Sequence, residues 1–212
     1  MTELNIKSST IEKSVDLAKN FLQKLIGPSV DELGLLFSDN VKLWRLKNQI
    51  RNLEKVKKIV DEEKINIKQV NLKVLIPYLE GVSLEEDETL QDLWAKLFAN
   101  YIDTSKNLTI NVYPNILKQL STNEVTILRF MLSNGNNVKF QGYNANKEIQ
   151  CSSEELANLE RLGLIKETLD ISQYGGDIDE KTGQWKWDFE ELASGEFYIT
   201  DFGFEFLKAC ER

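Results

Sequence analysis

Apolar residues recur every three to four positions through most of the first half of the chain, the period of helices with one buried face. Ile11, Val15, Ala18, Phe21, Leu22 and Leu25 predict a helix from Thr10 to Ile26, stopped by Gly27-Pro28. Val30, Leu33, Leu36 and Phe37 predict a short second helix from about Ser29 to Phe37. Ser38-Asp39-Asn40 then offers an N-cap for a longer one, Val41 to Glu62, with Leu43, Leu46, Ile50, Leu53 and Val60 near a heptad seam broken by Lys57. Residues Asn66 to Glu80 read as a helix ending near Pro77. The strongest pattern follows. Ser83 and Glu86 have the spacing of a capping box, and Leu90, Leu93, Trp94, Leu97, Phe98 and Tyr101 form one broad apolar face. The polar run Asp103 to Asn107 marks a domain boundary, giving a helical domain over 1–107 and a second domain over 108–212.

The pattern changes after that boundary. Ser121-Thr122-Asn123-Glu124 and Ser152-Ser153-Glu154-Glu155 start two more helices, which end at Asn134-Gly135 and Gly163. Between them, Asn136 to Gln150 is polar and asparagine-rich, with room for a short strand at Val138 to Phe140. Leu164-Ile165 starts a strand. Gly175-Gly176 and Thr182-Gly183 bracket a hairpin-like region with Trp185, Trp187 and Phe189 on one face. A short strand at Phe197 to Ile199 and a helix through Phe202, Phe206 and Leu207 close the chain. Helix, helix, strand, hairpin and final helix is the order of a winged-helix domain. The expected class is therefore mainly α, with a helical N-terminal domain and a winged-helix-like α+β C-terminal domain.

Charge narrows the functional classes. Residues 1–107 carry 16 basic and 17 acidic side chains; the remainder carries 10 and 17, so the net charge of -8 belongs to the second half. The second of its helices holds Glu154, Glu155 and Glu160 against Arg161, where a winged helix would meet DNA. Carboxylates facing phosphates repel, so nucleic-acid binding through this domain is not expected. Histidine is absent, which removes Ser-His-Asp and Cys-His catalysis and histidine metal ligands. Cys151 and Cys210 form no C-x-x-C pair and read as free thiols of a reducing compartment. There is no apolar run of about 18 residues and no basic-then-apolar leader, so a cytoplasmic protein without a transmembrane segment is expected.

Three groups could carry function. Glu80, Glu85, Glu86 and Asp87 could hold a divalent metal or do acid–base work, or serve as first-turn charges of a helix. Lys42 to Lys58, with Arg45, Lys47, Arg51, Lys55 and Lys57 and only Glu54 opposing, could bind nucleic acid, or form a solvated face paired with the acidic start of the Ser83 helix. Arg45, Lys47 and Asn48 could join Glu80 or Glu85 in a network that sets helix register. Trp185 and Trp187 either pack under the hairpin or stay exposed as a partner surface. No catalytic residue and no cofactor is indicated, and the residues leave open whether the protein is an enzyme.

The chain resembles the abortive-infection alpha family of bacterial proteins. The resemblance rests on Trp44-Arg45-Leu46-Lys47-Asn48, Ile76-Pro77-x-Leu79-Glu80, Leu159-x-Arg161-Leu162-Gly163-Leu164-Ile165 and Thr200-x-Phe202-Gly203. Its most specific block is Glu85-Glu86-Asp87-x-x-Leu90-Gln91-Asp92-Leu93-Trp94-Ala95. The resemblance implies phage defence, in which an infected cell stops growing or dies before phage spreads. It brings no established reaction. The leading expectation is a defence protein acting through a protein partner or a homo-oligomer. The alternatives are a metal-dependent effector enzyme acting on nucleic acid through the acidic cluster, and a nucleic-acid binder using helix 42–58.

Overall fold

In the computed structural model of the chain, the residues described are 15–27, 43–135, 137–139, 149–179 and 181–212. The helix expected at Ser29 to Phe37, the cap at Ser38 to Asn40 and most of the polar stretch after Gly135 lie outside them. Among the described residues the fold is mainly helical, with eight helices and one three-stranded antiparallel sheet. They divide into two compact units, Met1–Thr122 with Leu207–Arg212, and Asn123–Phe206. No described helix is long and apolar enough to cross a membrane.

In the first unit, helix α1 runs through residues 15–26 and is closed by Gly27 at φ +68°, the left-handed conformation that glycine adopts without strain. Helix α2 spans Leu43–Glu62, α3 Leu72–Leu84, α4 Glu88–Ile102 and α5 Tyr113–Leu117. α2 packs on α3 and α4, and α3 also touches α5. The core consists of Leu22 and Leu25 of α1, Leu53 and Val56 of α2, Leu75, Tyr78 and Val82 of α3, and Leu93, Trp94, Leu97 and Phe98 of α4.

Three expectations change here. The α2 seam passes through Gln49, Ile50, Asn52, Leu53 and Val56, all buried, and leaves Lys57 in solvent. Pro77 lies inside α3, not at its end. Its missing N–H deprives only the Lys73 carbonyl, in the exposed first turn, while Tyr78, Leu79 and Val82 beyond it are buried and hold the helix together. Finally, Ser83 does not cap α4. It sits in α3, donating its hydroxyl to the Glu80 carbonyl at 2.7 Å. The cap is Asp87, whose carboxylate accepts from Leu90 N at 3.0 Å. Aspartate caps as well as serine, and it alone lies three residues before a free N–H of α4.

The second unit contains most of α6 (Thr122–Ser133), then β1 (Asn137–Lys139), α7 (Ser153–Arg161), β2 (Ile165–Ile178), β3 (Trp185–Ile199) and the start of α8 (Asp201–Ala209). Ser152 and Glu155 form the reciprocal capping box on α7 that their spacing predicts. The strands pair antiparallel in the order β1-β3-β2, with Val138 opposite Phe197 and Ile165 opposite Ile199. β2 and β3 are 14 and 15 residues long, far longer than the short strands read from the sequence, because irregularities at Glu167/Leu169 and Tyr174/Gly176 interrupt the alternation. Thr200 bonds the Gly163 carbonyl at 2.6 Å and caps α8 through Gly203 N at 2.9 Å.

Two glycines mark closest approaches. A Cβ on Gly81 would come within 2.4 Å of the buried Trp94 ring, and one on Gly203 within 2.0 Å of the Leu164 carbonyl oxygen. Gly81→Ala should therefore destabilise the protein by about 1–3 kcal/mol, the usual overpacking range, and Gly203→Ala by more, because backbone yields less than a ring. Urea unfolding midpoints test this; unchanged midpoints would mean that the contacts are not this tight.

Candidate functional site

The region carrying most of the sequence candidates is the meeting of α2, α3 and α4. α3 ends without a basic residue in its last turn, so its final carbonyls need other donors. Neighbouring side chains supply them. Asn48 Nδ2 of α2 donates to Ser83 O at 3.3 Å, and Gln49 Nε2 donates to Leu79 O at 3.0 Å. From α4, Gln91 Nε2 donates to Glu85 O at 2.8 Å and reaches Val82 O at 3.4 Å. Fully buried Asn52 joins the three helices. Its Nδ2 donates to Gln91 O at 2.8 Å and Gln91 Oε1 at 2.5 Å, while its Oδ1 accepts from Tyr78 OH at 2.7 Å. The Tyr78 ring stacks on Phe98, centroids 4.0 Å apart, and meets Trp94 edge-on. Burial pushes the Tyr78 phenol well above its ordinary pKa, so it stays a hydroxyl donor. Among the described residues, Gln49 Oε1 is a buried acceptor without a donor.

The four candidate carboxylates do not converge. Glu80 is exposed and pairs with Lys118 at 3.4 Å. Glu85 turns back to accept from Asp87 N at 2.9 Å, and burial raises its carboxyl pKa. Glu86 is exposed. Asp87 caps α4, and the Leu90 N–H holds its carboxyl below the usual aspartate range. Among the described residues no group of three Cys, Asp or Glu side chains is placed to hold a metal ion.

The basic face of α2 is paired. Arg51 and Lys55 both meet Glu88, and Lys55 also meets Asp92 at 2.5 Å, so the acidic start of α4 faces them. Lys57 and Lys58 pair with Asp61 and Glu62 one turn on. Lys47 is exposed and Arg45 half-buried.

At the far end of the hairpin, Trp185 lies opposite Ile178 and Trp187 opposite Gly176. Trp185 and Ile178 are 52% and 55% exposed.

Sequence reasoning missed Gln49, Asn52, Tyr78 and Gln91 as a set. A signal existed for Gln91: it stands three residues before Trp94 and seven before Phe98, an inward position on α4. A second missed cluster ties down the end of the chain. Asn100 Nδ2 donates to Ala209 O at 2.8 Å and Glu211 O at 3.2 Å, and Arg212 bridges Asp103 at 2.6 Å and Glu63 at 2.9 Å. Burial alone would raise the Asp103 carboxyl pKa, but bonds from the Ser105 hydroxyl and amide and the charge of Arg212 outweigh it and hold it low.

Asn52→Ala strands both the Tyr78 hydroxyl and the Gln91 amide, so it should cost about 2–4 kcal/mol in denaturant unfolding. Glu80→Gln, at an exposed pair, should cost less than about 1 kcal/mol. A depressed carboxyl stabilises fully above its unfolded pKa, about 3.9, and loses that contribution as pH falls through the folded value. Asp103→Asn should therefore lower the melting temperature at pH 7, with the gap to wild type narrowing below about pH 4. A gap independent of pH would show that the Asp103 charge contributes nothing.

One family model, described as abortive infection alpha, matches residues 40–210. No curated protein and no solved structure matches the chain. The family match takes in every element from α2 to α8, and so the chain belongs to the abortive-infection alpha family.

Proposed function

We propose that this chain acts in phage defence of the abortive-infection type, in the bacterial cytoplasm, by contacting a protein partner through the outer end of the β2–β3 hairpin. The observation that carries this reading is the cross-strand pair Ile178 and Trp185. Both are large, apolar and more than half exposed. Apolar groups held together in solvent are a mark of an interaction surface. The surrounding charge argues for protein over nucleic acid: residues 165–199 hold nine acidic and three basic side chains. The order α6, β1, α7, β2, β3, α8 and the antiparallel sheet support a winged-helix-like reading of the second unit, with this hairpin as its wing. Family membership supports the defence role.

A phage challenge in a sensitive bacterial host tests the proposal. Wild type is expected to protect, with infected cells ceasing growth before phage release. The Glu80→Ala, Glu85→Ala, Glu86→Ala triple variant should protect equally, because these carboxylates make local or exposed contacts. The Ile178→Ser, Trp185→Ser variant, folded by circular dichroism, should lose protection. Loss in the triple variant with full protection by the hairpin variant would reverse the assignment and favour an activity of the acidic cluster.

A further inference from the structure

The first unit contains a cleft of about 410 Å³ lined by none of the residues considered so far for partner contact. It lies between two turns, Glu63 to Asn66 after α2 and Asp103 to Lys106 after α4, with Arg212 as a third wall. The turns are cross-linked. Thr104 N donates to Asn66 O at 2.9 Å, Lys68 N to Ile102 O at 2.7 Å, and Lys68 Nζ to Lys106 O at 2.6 Å. The cleft is therefore a built feature of the fold and not a chance groove between loops.

Its electrostatics favour an anion. Three cations, Lys64, Lys106 and Arg212, line it against two carboxylates, Glu63 and Asp103. Both carboxylates are already taken up by Arg212, and Asp103 by Ser105 as well. The Arg212 side chain is only 8% exposed, yet these two bonds use two of the five N–H donors of a guanidinium. Among the described residues neither Lys64 nor Lys106 has a carboxylate partner. That contrasts with Lys55, Lys57, Lys58 and Lys118, which all do.

Lys64 adds a further point. It is the single non-glycine residue with positive φ among those described, at +53°. That is the position that ends α2, with Ile65 N bonded to Val60 O at 3.0 Å, where glycine is usual and a lysine costs more. Backbone donors are largely committed, since Thr104, Ser105 and Lys106 N–H groups bond Asn66 O, Asp103 Oδ1 and Asp103 O. A ligand must then be held by side chains: ammonium groups from Lys64 and Lys106, the guanidinium of Arg212, the Thr104 hydroxyl and the Asn66 amide. The volume lies within the range of small-molecule sites and exceeds the needs of a bare phosphate ion, and Ile65 offers one apolar contact.

We propose that this cleft binds a small phosphate monoester, its phosphate held by Lys64, Lys106 and Arg212 and the rest of the molecule lying along Ile65 and Asn66. The site is independent of the hairpin surface, and its failure would leave the defence reading untouched.

Isothermal titration calorimetry of the full chain at low salt tests it, with adenosine 5′-monophosphate, ribose 5-phosphate, inorganic phosphate and uncharged adenosine as probes. Saturable one-to-one binding of a phosphorylated probe, weakened by added salt and absent for adenosine, is expected. The two esters should bind more tightly than inorganic phosphate; inorganic phosphate binding as tightly as both would overturn the assignment to a monoester. Lys106→Gln alone, and Lys64→Gly with Lys106→Gln, should each weaken binding by about tenfold or more, the usual worth of a charged hydrogen bond. Glycine accepts the φ of residue 64 without strain, so the double variant should fold. Absence of saturable binding by any phosphorylated probe, equal binding of adenosine, or binding that survives in the folded double variant would overturn the proposal.

Discussion

The first unit depends on one buried amide, Asn52. Its side chain bonds both α3 and α4, through the Tyr78 hydroxyl and Gln91. Apolar packing alone would let three helices slide by a turn at little cost, because leucine rows repeat. A buried amide does not slide, since any other register strands its donors and acceptors in a dry interior. The neighbouring contacts follow from this register. Gln91 closes the open end of α3 because Asn52 holds it there, and Gly81 is required because Trp94, one turn beyond Gln91, lies against that backbone.

Charge is distributed by a different logic in the two units. The first has 18 acidic and 19 basic side chains, and the charges of α2 from Arg51 to Glu62 include pairs with α4 and pairs one turn apart along α2. The second has 16 acidic and seven basic. Its order comes in part from local caps and close contacts: the Ser152–Glu155 box, the Thr200 bonds to the turn before β2, and the close seat of Gly203 on Leu164. A fold held in that way can carry excess negative charge at its surface, which leaves the hairpin free to be acidic while exposing Ile178 and Trp185. The chain thus separates a balanced, cross-braced helical unit from an acidic one with an apolar tip.

The candidate site was legible only in part. The acidic run Glu85 to Glu88 could be read as a helix start, and it is one, but the capping residue is Asp87 and not Ser83. Residues of both kinds suit a cap, and only the continuation of α3 past Pro77 decides between them. The basic run on α2 was visible, and pairing with the acidic start of the next helix was one of its two readings; the packing of α2 on α4 chose that reading and picked Glu88 and Asp92 as the partners. Arg212 and Asp103 are 109 residues apart, and nothing in local pattern links them.

The sequence by itself determined the local elements: the helical period of α1 to α4, the capping box of Ser152 and Glu155, the glycines that end helices, and the excess of acid in the second half. These depend on neighbours within a few positions along the chain, so composition and spacing suffice. Tertiary structure alone decided which polar residues are buried, how long the hairpin is, and where the turns after α2 and α4 meet to form a cleft. Those features depend on side chains far apart in sequence competing for the same partner. A donor or carboxylate has many acceptable partners in the chain, and only the packed fold selects one.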